Sequence, residues 1–211
     1  MKNRILVHYD EISLKGGNKR FFENKLILNI QEKITYHKLG SISKIKRLYG
    51  RILIDLDELT DTQKQTWIII LKHTFGIANF SFGHEVLQTV EDIETSALNE
   101  IETKKDTFNS FQVKTKRANK TFPLNSPELS KRIGAKIVEK FHKKVDLTNP
   151  DFTLFIEIVD NKAFIYTEKH PGPGGMPIGS SGKGIVLISG GFDSPVAAYY
   201  AMKRGLNIRL I

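Results

Sequence analysis

The chain has 211 residues, with 32 Lys+Arg, 23 Asp+Glu and no cysteine, a length that suits one large domain or two small ones. Its 40% hydrophobic and 26% charged residues exclude wholesale disorder. Apolar runs such as residues 67–71 fall far below the ~20 residues of a membrane helix, and the lack of cysteine excludes a disulfide framework, a thiolate zinc site and a cysteine nucleophile within this chain.

Met1-Lys2-Asn3-Arg4 leads straight into alternating β-formers rather than an apolar signal core, so a soluble cytoplasmic protein without a membrane partner is expected. Residues 3–9 read as a strand. Lys15-Gly16-Gly17 is a turn, and Asn18 is placed to cap a helix to about Thr35, with Phe22, Leu26, Ile30 and Ile34 along one stripe. Residues 42–48 and 51–56 predict a hairpin around Tyr49-Gly50. Thr60 with Gln63 predicts a capping box that opens a helix to Lys72. Residues 77–86 complete a β-α-β-β-α-β order, the split βαβ pattern of ferredoxin-like domains.

A second unit follows. Thr89 is expected to cap a helix with Ile93, Ala97 and Ile101 inward, while Glu91, Asp92 and Glu94 read as a charge bias at its N-terminus. Residues 85–102 carry six acids and no base. Residues 108–116 alternate as a strand. Ser126-Pro127 predicts an N-cap followed by Pro at the first helical position. That helix turns Ile133, Ile137 and Phe141 inward and most of its Lys and Arg outward. Residues 152–158 and 163–167 predict a hairpin through Asp160-Asn161.

The net charge of +9 is localised. Residues 104–144 hold twelve Lys or Arg against three acids, and the rest of the chain is balanced. That suits a polyanion such as nucleic acid, and it equally suits a solvated helix face. The histidines at 8, 73, 84, 142 and 170 lack the spacing of a metal site.

Residues 170–184 are rich in Gly and Pro and read as a linker. Residues 185–188 form a continuous apolar run expected in a buried parallel strand. Ser189-Gly190-Gly191-Phe192-Asp193-Ser194 is the turn, residues 195–204 a helix, Gly205 its C′ residue and residues 207–211 the next strand. One such β-α-β unit cannot cover both faces of a parallel sheet, so a further part of that domain is expected outside these 211 residues.

The six-residue turn is the sharpest chemical signal. Its glycines let backbone approach an anion, and the helix N-terminus aims N–H groups at a phosphate. Asp193 is a carboxylate in that setting, which a bridging Mg²⁺ would reconcile. Gly182-Lys183 does not complete a Walker A loop, because Pro177 and Gly184 occupy positions that need Gly and Ser/Thr.

The turn resembles the PP-loop of ATP pyrophosphatases. Glu11-Ile12-Ser13-Leu14-Lys15-Gly16 with Asn18 and Phe22-Glu23 extend the likeness. So do Phe111-Gln112-Val113-Lys114 with Lys116-Arg117-Ala118 and Phe122-Pro123, and Gly172-Pro173-Gly174-Gly175-Met176-Pro177-Ile178-Gly179. Together they are similar to the tRNA 4-thiouridine synthetase family (tRNA sulfurtransferases, the ThiI proteins). Lys19 stands where that family usually has Arg.

The resemblance implies three parts in a mixed α+β and α/β fold. These are a ferredoxin-like domain over residues 1–60 (its sheet extending to 86), a THUMP RNA-binding domain over 61–168, and, after a linker at 169–184, the start of a PP-loop pyrophosphatase domain at 185–211. It implies ATP and Mg²⁺ as cofactors. Leu187, Ile188, Ser189, Gly190, Gly191, Asp193 and Ser194 would be at the nucleotide, with Asp193 catalytic and holding the metal through ATP. It implies tRNA as partner, through the acceptor stem and 3′ CCA end, contacted by Lys114, Lys116, Arg117, Lys120, Lys131, Arg132 and Lys136. Phe122 is open between a stacking role and the core.

The implied reaction is adenylation of a tRNA uridine and sulfur transfer from a persulfide to give 4-thiouridine, with a link to the thiazole of thiamine. The persulfide comes from a cysteine desulfurase or another donor, because this chain has no cysteine. The family also leaves room for a homodimer. The alternative from another class is a stand-alone tRNA-binding THUMP protein without catalysis.

Overall fold

The computed structural model describes residues 3–39, 42–57 and 59–211; Met1 and Lys2, read above as leading into the first strand, lie outside them. The chain divides into two compact units, Ile5–Phe80 with Lys169–Ile211, and Met1–Arg4 with Ser81–Glu168.

The first unit is built from β1 (Asn3–His8), α1 (Lys19–Tyr36), β2 (Ile42–Leu48), β3 (Arg51–Leu56), α2 (Asp61–Lys72) and the opening residues of β4 (Asn79–Leu87). Its strand order is β2-β3-β1-β4, the arrangement of the split βαβ pattern. β2 and β3 pair antiparallel, closing at Leu48 and Arg51, with Gly50 at φ 72° in the turn.

α1 buries Leu26, Ile30 and Ile34, while Phe22 is only half-buried. Asn18 makes no side-chain cap; short 3₁₀ turns at Glu11–Leu14 and Gly16–Asn18 run directly into the helix, and the Asn18 N–H is already donated to Lys15 O. α2 has the expected capping box, with Thr60 Oγ1 accepting from Gln63 N–H. The helix buries Trp67, Ile70 and Leu71 in this unit, so residues 61–72 complete the ferredoxin-like part rather than head the next domain.

Residues 169–184 are not a free tether. β9 (His170–Pro171) pairs antiparallel with the start of β4. Gly172 and Gly174 donate N–H to Ala78 O and Ile77 O, and Gly76 N–H donates to Gly174 O at 2.9 Å. Met176 N–H then donates to Lys203 O at 2.8 Å. Only glycine fits at two points of this strap. A Cβ at Gly172 would lie 2.3 Å from Ile77 O, and one at Gly175, where φ is +75°, 2.3 Å from Lys203 O.

After the strap come β10 (Lys183–Val186), α5 (Asp193–Lys203) and β11 (Asn207–Leu210), with β10 and β11 parallel. Gly205 takes the expected positive φ after the helix. The apolar run is not buried. Ile185, Leu187 and Ile188 are exposed, because two strands and one helix cannot enclose a parallel strand.

The second unit contains the rest of β4, α3 (Val90–Glu102), β5 (Ser110–Arg117), α4 (Ser126–Phe141), β6 (Lys144–Val145), β7 (Phe152–Val159) and β8 (Lys162–Tyr166), with strand order β4-β8-β7-β5-β6. β5 is parallel to β7 and β6, and β8 is antiparallel to β7 and β4. Asp160 and Asn161, at φ 47° and 60°, form the β7–β8 turn; both tolerate the left-handed region better than most residues.

Thr89 caps α3 through the Asp92 N–H at 3.0 Å. The cap of α4 is Asn125, one residue earlier than expected. Asn125 Oδ1 accepts from Glu128 N–H, and the Glu128 carboxylate accepts from Asn125 N–H, a reciprocal box that Ser126 would break by shifting the spacing. Ile93, Ala97 and Ile101 of α3 and Leu129, Ile133 and Ile137 of α4 pack with Phe111, Leu154, Ile156, Ile158, Ala163 and Ile165 in one core, against which Phe141 is partly buried.

Candidate nucleic-acid interface and phosphate loop

Strand alternation sorts the basic residues of β5. Thr115 Oγ1 hydrogen-bonds Ser130 Oγ of α4 at 2.8 Å, and Phe111 and Val113 join the helix-side core. Odd positions therefore face the helices, and Lys114 and Lys116 project from the opposite face, both exposed. Lys120 is exposed in the β5–α4 loop and Lys131 on α4. None of these four lysines makes an ion pair among the described residues.

Four other expected contacts are placed differently. Phe122 is 5% exposed within the core, so its ring is closed to base stacking. Arg117 is half-buried, and its Nη1 donates to Phe122 O at 3.0 Å and Leu124 O at 3.2 Å. Arg132 and Lys136 both hydrogen-bond the carboxylate of Glu94 on α3. Sequence reasoning took Glu94 for part of a helix-terminal bias; it is 5% exposed and joins the two helices. Burial pushes its carboxyl up, but the hydrogen bonds from Arg132 and Lys136 outweigh that and hold it below the usual range. The signal for this pairing was in the sequence: an acid-only helix followed by a base-rich one.

The same seam continues. Lys140 lies 3.4 Å from Glu102. Glu100 meets His84 at 3.4 Å and Lys104 at 2.8 Å. The His84 hydrogen bond, against burial and with help from Lys104, lowers the Glu100 carboxyl to about 2. Part of the localised positive charge is thus returned to α3. Among the described residues, Lys114, Lys116, Lys120 and Lys131 are predicted contacts left without an ion pair.

In the other unit, the six-residue turn sits between β10 and α5 as strand, loop and helix. Ser189 N–H donates to Ser194 Oγ at 3.1 Å, the two serine hydroxyls are 3.3 Å apart, and Gly191 N–H reaches Ser189 Oγ at 3.4 Å. The hydroxyls close the base of the turn. A Cβ at Gly190 would meet nothing within 4 Å, so the outer side is open.

α5 begins at Asp193 and has no side-chain cap. Its first-turn N–H groups therefore lack a side-chain acceptor and are suited to an anion. Asp193 is exposed, as are Leu187 and Ile188 ahead of the turn. The turn brings Ser189, Gly190, Gly191, Asp193 and Ser194 together. Among the described residues no three His, Cys, Asp or Glu converge as a metal site.

Three family profiles match in chain order: the ThiI ferredoxin-like domain at residues 4–81, the THUMP domain at 88–168, and thiamine biosynthesis protein (ThiI) at 179–211. A relative named probable tRNA sulfurtransferase, from Caldanaerobacter subterraneus subsp. tengcongensis, is 40% identical over all of this chain and 53% of its own length. The chain spans about half the length of the curated relatives it matches.

A solved 4-thiouridine synthetase–RNA complex with bound ATP is 37% identical with a TM-score of 0.78, over 100% of this chain and 52% of that one. PH1313 from Pyrococcus horikoshii is 32% identical with a TM-score of 0.87, over 99% and 67%. The order of the three matched segments, the fold and these identities agree: this chain belongs to the ThiI family of tRNA sulfurtransferases.

Proposed function

We propose that this chain supplies the tRNA grip and the nucleotide loop of a tRNA sulfurtransferase. In that reaction a uridine O4 of tRNA attacks the α-phosphate of ATP and pyrophosphate leaves. The terminal sulfur of a persulfide then adds at C4 and AMP departs, leaving the base joined to its donor by a disulfide. A second thiol outside this chain attacks that S–S bond, so that 4-thiouridine leaves and a thiol pair ends as a disulfide. The observation that carries the reading is the Ser189–Ser194 turn, set between β10 and an α5 whose first turn is uncapped. Its open glycine side and free N–H groups fit a phosphate chain. Ser189, Gly190, Gly191 and Ser194 would hold the phosphates, and Leu187 and Ile188 would lie along the nucleotide.

Asp193 would act through Mg²⁺. A lone exposed carboxylate leaves the remaining ligands to phosphate oxygens and water, as is usual for that ion. Lys114, Lys116, Lys120 and Lys131 are the cations available to tRNA phosphates. Sulfur must arrive on another thiol, from a cysteine desulfurase or other persulfide donor, because this chain has no cysteine. The same sulfur supply would link the protein to the thiazole of thiamine, and the reaction would run in the cytoplasm with its tRNA and ATP.

The test is pyrophosphate release from ATP in the protein that carries this chain, with and without unmodified tRNA. Stimulation by tRNA is expected, and ATP turnover indifferent to tRNA would overturn the reading. Residues 1–211 alone, given ATP, Mg²⁺ and a sulfur source, should yield no tRNA with the near-ultraviolet absorbance of a thiolated uridine.

A further inference from the structure

We infer that Arg117 is a positioning residue for RNA binding: it fixes the 118–125 loop so that Lys120 is presented beside the end of β5. The inference rests on the tRNA-binding reading above and changes the role of Arg117 within it.

The loop is held at both ends. Ala118 N–H donates to Ile158 O at 2.8 Å, and Asn125 closes into the capping box of α4. Between them, Asn119 Oδ1 accepts from Thr121 N–H at 2.9 Å and from Thr121 Oγ1 at 2.6 Å, and Phe122 is sunk in the core. Among the described residues, no backbone N–H donates to the carbonyls of Phe122 and Leu124. Arg117 reaches from its odd, helix-side position on β5 and supplies one to each from Nη1. Both hydrogens of that nitrogen are thereby committed.

A buried or half-buried carbonyl without a donor is costly, so the guanidinium is what lets this loop sink Phe122 into the core and Leu124 against it. A Lys there keeps the charge, but its stem ends one atom short of the position of Nη1, so its ammonium does not reach both carbonyls. Lys120 is exposed on the loop so held. With the loop loosened, its ordering cost moves to the moment of binding.

The experiment measures tRNA affinity of the 211-residue chain across a salt series, for wild type, Arg117→Ala, Arg117→Lys, Lys120→Ala and the Arg117→Lys/Lys120→Ala double variant. Amide exchange of residues 119–124 is followed in the free proteins. Arg117→Lys is expected to bind roughly fivefold to tenfold more weakly, like Arg117→Ala, with faster exchange in the loop. Lys120→Ala should weaken wild type clearly and the Arg117→Lys background much less, as coupled sites do.

Arg117→Lys binding like wild type, with Arg117→Ala alone losing affinity and about 0.9 of salt slope, would make Arg117 a phosphate contact and sink the inference. Because Arg117→Lys keeps the aliphatic stem, it remains informative if the Ala variant misfolds. Wild type failing to bind tRNA would instead remove the RNA reading, and the inference with it.

Discussion

Glu94 on α3 receives a hydrogen bond from Arg132 Nε on α4 through a carboxylate that is almost wholly buried. Lys136, one turn further along α4, binds the other oxygen. Two cations that sequence alone assigns to RNA are therefore engaged by a protein anion first, and any phosphate must compete with it.

Glu94→Gln keeps the shape of that side chain and removes its charge. It should release Arg132 and Lys136, tighten tRNA binding at low salt, and steepen the log K against log salt dependence by about 1 to 2. Stability should fall by roughly 1–3 kcal/mol, because charged hydrogen bonds are lost at a buried group. Salt-series binding and urea titration measure the two effects; an unchanged slope would mean that these cations stay off the RNA.

Glu100 has a carboxyl lowered to about 2 in the fold by His84 and Lys104, from an ordinary 4.5. A depressed acid stabilises the fold above its unfolded value and loses that contribution as pH falls through the folded one. Wild type should therefore lose more stability than Glu100→Gln between about pH 5 and pH 2, by on the order of 2 kcal/mol. Urea midpoints at several pH values in this window decide the matter, and parallel curves would refute the coupling.

Phe122 belongs to the core of the THUMP unit. Phe122→Ala should destabilise the chain by roughly 3–5 kcal/mol. Phe122→Leu, which refills most of the space, should cost under about 1.5 kcal/mol and leave tRNA affinity within about twofold of wild type. A large affinity loss in a stably folded Leu variant would restore the stacking role.

Asp193 is exposed and makes no cap on α5. On the proposed function, Asp193→Ala in the protein that carries this chain should slow pyrophosphate release about 100-fold or more, as the loss of a group stabilising developing charge does. Tight tRNA binding should persist, because the unpaired lysines lie in the other unit. Asp193→Asn should resemble Ala if the carboxylate works through a cation. Near-normal turnover in Asn would rule out metal holding as its role.

Local chemistry made much of this fold legible. The Thr60–Gln63 box, the Ile93, Ala97, Ile101 stripe and the Asp160-Asn161 turn each depend on residues within a few positions of one another. What escaped sequence reasoning depends on distant partners. Arg117 serves backbone carbonyls, which carry no residue-type signature. Glu94 needs a helix 38 residues away to reveal its role. The apolar run at 185–188 has the composition of a buried strand, yet burial comes from neighbours, and here Leu187 and Ile188 face solvent. Asn125 displaced Ser126 as cap because its box with Glu128 satisfies two backbone groups at once.

The Gly172–Gly175 strap sets a rule for recombining this protein with its relatives. Its backbone is stitched to residues 76–78 at one end and to Lys203 at the other, and two of its glycines fill space that no side chain can share. A chimera joined inside the strap inherits two docking templates from different parents, and one inserted residue would throw both out of step. Crossovers should instead fall outside residues 170–186, since Ser181 N–H still donates to Gly205 O, Gly182 O accepts from Asn207 N–H, and β10 pairs with β11.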